Sequence, residues 1–230
     1  MRRHPANALE KANEILLKIG GEQLTELPEQ AEKQAAIPVN SLMHSKYRRS
    51  TIQLWVALFM AFATLYFLTS WIPKLAESTG LSLELAIYAG TVFNVGAVFG
   101  IFLQGYFSSK FGLKKTIGVF FIVTAVLMVV FQFFIGSDVL LLVFGLLGFG
   151  VQGGFVGLYA VAARMYPTEF RTTGVGWAIG AGRLGGIISP AVGGLLIGMG
   201  LSMSINFLIY AIPTVLAGVM TMRIFSKDVS

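Results

Sequence analysis

No cysteine occurs anywhere in this 230-residue chain, and its histidines are confined to His4 and His44. Disulfides, thiolate nucleophiles and thiolate metal sites are therefore excluded, and two histidines so far apart cannot assemble a metal centre. Charge is scarce as well: Asp, Glu, Lys and Arg together make up 12% of the residues, about half of what a soluble domain carries. Within the long apolar runs there is no Asp, Glu, His or Lys away from the run ends. Paired carboxylates, Ser/His couples and His/Asp metal sets are thus missing where an intramembrane enzyme would need them, and no enzyme is expected. The net charge of +6 does not point to nucleic acid, because the basic residues stand at the ends of apolar segments instead of in one patch with interleaved aromatics.

What the chain has in excess is apolar length. Hydrophobic residues make up 55% of it, and the mean hydropathy is +0.75. Six runs of roughly 20 residues can each cross a bilayer core: Ile52–Ile72, Leu85–Phe107, Ile117–Ile135, Val139–Ala162, Val175–Leu196 and Ile205–Phe225. The connections alternate in charge. Lys46, Arg48 and Arg49 precede the first run, Lys110, Lys114 and Lys115 follow the second, and Arg164 and Arg171 follow the fourth. The positive-inside rule places these connections, the tail with Arg223 and Lys227, and hence both termini in the cytoplasm. The opposite connections hold Lys74, Glu77 and Glu84, then Asp138, then no charge.

Residues 1–50 have a different composition, with no spanning run and no signal-peptide core after Arg2 and Arg3. Ala8, Leu9, Ala12, Ile15, Leu16 and Ile19, stopped by Gly20 and Gly21, predict one short amphipathic helix. Pro28 and Pro38 bracket a polar linker. The expected organisation is a cytoplasmic segment over residues 1–50, six membrane helices over 51–226 and a cytoplasmic tail over 227–230.

Arg183 is the exception among the apolar runs, standing deep inside the fifth. A guanidinium cannot shed its charge, and at membrane depth it costs about 2.5–3.5 kcal/mol on insertion scales unless it faces protein or water. Its forked donors match a carboxylate, which makes it a candidate contact for an organic anion; a structural ion pair or carbonyl clamp is the alternative. Arg171 lies twelve residues earlier, roughly 18 Å along a continuous helix, too far to share one small ligand. With Glu169 and Arg164 it suits a cytoplasmic gate network, or else a plain positive-inside anchor.

Other polar positions inside the runs are Asn94, Gln104, Gln132, Gln152, Tyr159 and Asn206. Most such amides bond a neighbouring helix. Gln152 and Tyr159, seven apart on one helical face, could reach a ring hydroxyl, and Trp177 and Phe155 could stack on an aromatic ring. Tyr66, Trp71 and Tyr210 fit interfacial belts or packing equally well. Glycines four apart, at Gly96/Gly100, Gly150/Gly154, Gly153/Gly157 and Gly182/Gly186, predict closely packed helices. The many glycines of the fifth run, interrupted by Pro190, predict local flexibility or a break there.

Two connections carry a family resemblance. The stretch from Gly105 through Ser109, Lys110 and Gly112 to Lys114 and Lys115 resembles the Gly-x-x-x-Asp-Arg-x-Gly-x-Arg-Arg loop of the major facilitator superfamily. Ser109 occupies its acidic position, a departure from the acid on which the charge relay usually assigned to that loop rests. The stretch Tyr166, Pro167, Thr168, Glu169, Phe170, Arg171 through Gly174 and Gly176 resembles the loop joining the tenth and eleventh helices of the same superfamily. Its continuation into Trp177, Gly182, Arg183, Leu184, Gly185, Ser189 and Pro190 looks like the aromatic acid:proton symporter family. That resemblance implies an all-α integral membrane protein, a six-helix bundle equal to the C-terminal half of a twelve-helix transporter. It also implies proton-coupled uptake of a small aromatic carboxylate across the bacterial inner membrane, with no cofactor beyond the proton gradient, no metal and no nucleic acid. The expected partners are the lipid bilayer and an N-terminal six-helix half, which would supply the coupling carboxylate. Another small organic anion, such as a dicarboxylate, and an inactive fragment or scaffold are the alternatives. Expected substrate contacts are Arg183, Gln152, Tyr159, Trp177, Phe155 and Asn94; expected gating residues are Arg171, Glu169, Arg164, Gly105, Ser109, Lys110 and Gly112.

Overall fold

The computed structural model describes residues 8–18, 24–26, 42–43, 45–137 and 139–224, with the side chains of Ser45 and Lys46 left aside. The expected glycine stop at Gly20 and Gly21, the linker between Pro28 and Pro38, Asp138, Phe225 and the tail with Lys227 lie outside the described residues. The chain divides into two units, residues 1–37 and 38–230.

The first unit contains α1, Ala8–Lys18. It carries the expected amphipathic pattern, and Asn13 exchanges hydrogen bonds with the Leu24 backbone at 2.8 and 3.0 Å. Lys18 and Glu14 pair one turn apart, both largely exposed.

The second unit is a bundle of six long helices: α2 (Ser45–Ser78), α3 (Leu83–Phe111), α4 (Leu113–Val130), α5 (Leu140–Met165), α6 (Thr168–Gly198) and α7 (Met203–Met222). A 3₁₀ turn over Phe131–Phe134 extends α4. All six are long and apolar enough to cross a membrane. Helices α2, α3 and α6 overshoot the expected runs at both ends, whereas α4, α5 and α7 extend past them at one end only. The connection expected as a loop around Gly105 to Gly112 is almost entirely helical. Only Gly112, at φ 90°, leaves the helix, closing α3 and opening α4. A positive φ strains any residue with a Cβ and is cheap only for glycine, which explains the residue at this point of the motif.

Packing follows the small residues. Helix α3 lies chiefly on α5, α6 on α2, and α4 on α7. A Cβ on Gly96 would strike the Gly145 carbonyl oxygen, and one on Gly148 the Phe93 carbonyl oxygen, so α3 and α5 touch backbone to backbone. On the other side, Gly182 and Gly185 meet α2 at Phe62 and Phe59, and Gly193 meets it further along at Phe67 and Trp71, which makes α2 and α6 a parallel pair. Helix α5 is central: 67% of its apolar stretch is buried, against 28% for α3 and for α6. Those two outer helices therefore present broad apolar faces to their surroundings.

Hydrogen bonds tie the ends that carry the basic residues. Tyr166, after α5, donates to Thr51 near the start of α2 at 3.2 Å, and Lys114 at the start of α4 donates to the Ile224 carbonyl after α7 at 3.2 Å. Burial pushes the Tyr166 phenol above its ordinary pKa, with the Thr51 bond opposing, so it stays a neutral donor.

Of the local flexibility or break expected in the fifth run, a break is not found: α6 is one helix from Thr168 to Gly198 with Pro190 inside it. Side chains from neighbouring helices hold the region around the proline. Ser189 donates to the Ala63 carbonyl at 2.6 Å, Tyr210 donates to the Ser189 carbonyl at 2.6 Å, and Trp71 donates to the Pro190 carbonyl at 3.2 Å. Neighbouring helices can thus stabilise a proline-containing segment in lipid.

Candidate functional site

Three helices converge beside Arg183. Its flanking glycines, Gly182 and Gly186, let α6 close onto Phe62 and Tyr66 of α2. Phe62 stacks on Tyr66 with centroids 5.9 Å apart and meets Phe155 of α5 edge-on at 4.7 Å. Phe155 in turn meets Tyr159 edge-on at 5.4 Å. Phe62 and Phe155 are 3% and 8% exposed, so they form the wall, while Tyr66 and Arg183 remain exposed.

Helix direction explains why Tyr159 and Arg183 find each other although they sit at different heights in their helices. Side chains lean toward the N-terminus of their own helix. Because α5 and α6 follow one another through a short turn and run in opposite senses, the phenol and the guanidinium lean toward one another. Arg183 and Tyr66 both lie near the Tyr159 phenol. Among the described residues no carboxylate pairs with Arg183; the ion pairs present are Lys18 with Glu14 and Lys74 with Glu77. The structural ion pair that was the alternative explanation of this arginine is therefore absent from the described part of the chain.

The remaining expected contacts are only partly gathered. Gln152 is half-buried on α5, and its spacing to Phe155 and Tyr159 keeps all three on one helical face. Trp177 does not join them. It lies six residues from Arg183, about a third of a turn around α6, and stacks on Trp55 at 6.2 Å. There it lines a groove of about 710 Å³ with Thr173, Gly180 and Leu184. Asn94 is also apart, on α3, which packs on α5 while α6 packs on α2; its amide donates to the Gly90 carbonyl of its own helix at 2.8 Å.

Arg164, Glu169 and Arg171 line one polar cavity of about 530 Å³ at the start of α6, without an ion pair among the three. At the end of α3, Ser109 donates to the Tyr106 carbonyl of its own helix at 2.7 Å, as a hydroxyl can and the acid of the motif cannot. Lys110 lies 5.5 Å over the Phe111 ring, and nothing crowds Gly105. Among the described residues no group of three His, Cys, Asp or Glu side chains could hold a metal ion.

The model of the Major Facilitator Superfamily matches residues 54–230. The chain belongs to this superfamily. It is 32% identical to the 4-hydroxybenzoate transporter PcaK of Pseudomonas aeruginosa over 214 residues, covering 90% of this chain and 48% of that protein. It is 30% identical to the benzoate transport protein of Acinetobacter baylyi, covering 83% of this chain and 41% of that one. The gallate transporter of Pseudomonas putida is likewise 30% identical, over 76% of this chain and 39% of its own length. Among solved structures, the Escherichia coli fucose:proton symporter FucP shares the fold, with a TM-score of 0.73 at 17% identity over 89% of this chain and 51% of that one. The chain thus spans about half the length of the relatives it matches. This member of the superfamily is a multi-pass membrane protein of a transporter family, similar to aromatic acid transporters, and not an enzyme.

Sequence reasoning passed over Phe62 and left Tyr66 open between an interfacial belt and packing. The signal available for both was their spacing of four residues, which puts them on one face of α2; which helix that face meets could not be read from it.

Proposed function

We propose that this chain forms the second six-helix half of a proton-coupled symporter that takes up aromatic carboxylic acids across the bacterial cytoplasmic membrane, with both termini inside. The observation that carries the reading is the unpaired Arg183 guanidinium at membrane depth, set beside Phe62, Phe155 and Tyr159. A bare cation there is costly, and a carboxylate fits its two parallel donors. A ring attached to that carboxylate would extend toward the aromatic wall. The relatives named for 4-hydroxybenzoate, benzoate and gallate share these two features of a ligand, a carboxylate and an aromatic ring.

Two observations support a second six-helix bundle as the other wall of the pathway. The matched relatives are about twice as long, and the exposed faces of α3 and α6 are those of helices built to meet further protein or lipid. The coupling carboxylate belongs to that other half, since no apolar run of this chain contains one.

Uptake of labelled 4-hydroxybenzoate by cells expressing the transporter that contains this chain tests the reading. Accumulation that benzoate competes, that succinate does not, and that a protonophore collapses is expected. Competition by succinate but not benzoate would transfer the assignment to a dicarboxylate, and absence of any organic-acid uptake would remove it.

A further inference from the structure

Three exposed tyrosines stand on α2 and α3, and they are not equivalent. Tyr88 and Tyr106 each lie five residues from an end of α3, where the phenol reaches the membrane interface and its water. Tyr66 lies near the middle of the span Tyr47–Ser78. Its ring is 45% exposed, and its hydroxyl has no hydrogen-bond partner among the described residues. A hydroxyl at that depth without a partner is unfavourable, and nothing in the packing requires it: Phe62 beneath and Gly186 beside it contact the ring and not the oxygen. Phenylalanine would serve the packing equally.

Two polar groups without partners therefore sit close together at mid-depth. Arg183 is one turn of α6 from Gly186, the residue against which Tyr66 rests, a separation of about 5 Å along the axis. Tyr159 of α5 lies near both of them. A single-ring acid whose carboxylate sits on Arg183 would place its far edge among the phenols.

We infer that Tyr66 reads a hydroxyl on the substrate ring, so that this site selects hydroxylated aromatic acids over unsubstituted ones. The inference rests on the functional reading above, with Arg183 holding the carboxylate. In the bound state the ring hydroxyl and the Tyr66 hydroxyl satisfy one another, and a ligand without that group leaves the tyrosine as unpartnered as before. Selectivity then comes from an unpaired polar group in a dry site, which rejects the analogue lacking the hydroxyl more strongly than a difference in size would.

Initial uptake rates for labelled 4-hydroxybenzoate and benzoate, in wild type and in Tyr66→Phe, decide it. The variant should raise KM for 4-hydroxybenzoate about threefold to tenfold, the range of one net hydrogen bond, and leave benzoate within about twofold. Equal weakening of both acids, or of neither, overturns the inference while the functional reading stands. Failure of the wild type to take up either acid removes the functional reading and this inference with it. A ligand-side measurement needs no variant: 4-fluorobenzoate, which cannot donate, should compete with wild-type uptake no better than benzoate. If it competes as well as 4-hydroxybenzoate, ring size is being read and the hydroxyl is not.

Discussion

The hydroxyl of Tyr210 on α7 donates to the carbonyl of Ser189 on α6 at 2.6 Å, one residue before Pro190. Ser189 passes the connection on by donating to Ala63 of α2 at 2.6 Å, so the proline-containing turn is held between two helices. Replacing Tyr210 by Phe keeps the ring stacked on Phe67, whose centroid is 3.7 Å away, and deletes only the bond. A loss of about 1 kcal/mol is expected, within the range for interhelical hydrogen bonds in membranes, read as earlier thermal unfolding in detergent.

Close helix contact makes a sharper prediction. Gly96→Ala would drive a methyl group into the Gly145 carbonyl, whereas Gly90→Ala on the same helix meets nothing within 4 Å. The first should destabilise by about 1–3 kcal/mol, as overpacking does. The second should be neutral or stabilising by up to about 1 kcal/mol through helix propensity. Thermal unfolding of the two variants side by side checks the contrast, and equal behaviour would refute the backbone contact between α3 and α5.

Arg183→Ala should abolish uptake while protein level and membrane insertion stay as in the wild type. The charge-assisted bonds it removes are worth about 1.5–3 kcal/mol, or roughly tenfold to a hundredfold in affinity. Arg183→Lys keeps the charge and loses the planar fork, so a partial defect is the expected signature of two-point recognition. Unchanged kinetics in both variants would end the role of this arginine as an anion contact.

Because the chain has no cysteine, a thiol placed in it meets no competing thiol within these 230 residues. Lys115→Cys, at the start of α4, should react with an impermeant maleimide only after cells are opened. Glu77→Cys, at the opposite end of α2, should react in intact cells. The reverse pattern would invert the orientation read from the basic residues.

The spans were legible in the sequence because a bilayer demands length and apolarity from each segment separately, and both are local properties. Arg183 was legible for the same reason, as one charge in the wrong solvent. Trp177 and Asn94 show where that reasoning stops. Both are the right residue types at membrane depth, yet one stacks on Trp55 and the other bonds its own helix. A sequence tells which residues share a helical face but not which neighbour that face meets.

By itself the sequence determined that this chain crosses a membrane six times, that its basic ends share one side, and that one arginine lies where lipid cannot stabilise it. Tertiary structure alone decided that α6 continues through Pro190, and that Phe62 and Tyr66 of α2, more than a hundred residues away in the chain, stand beside Arg183. The physical reason is that glycines at Gly182, Gly185 and Gly186 permit close approach, while only the side chains of the facing helix determine what approaches.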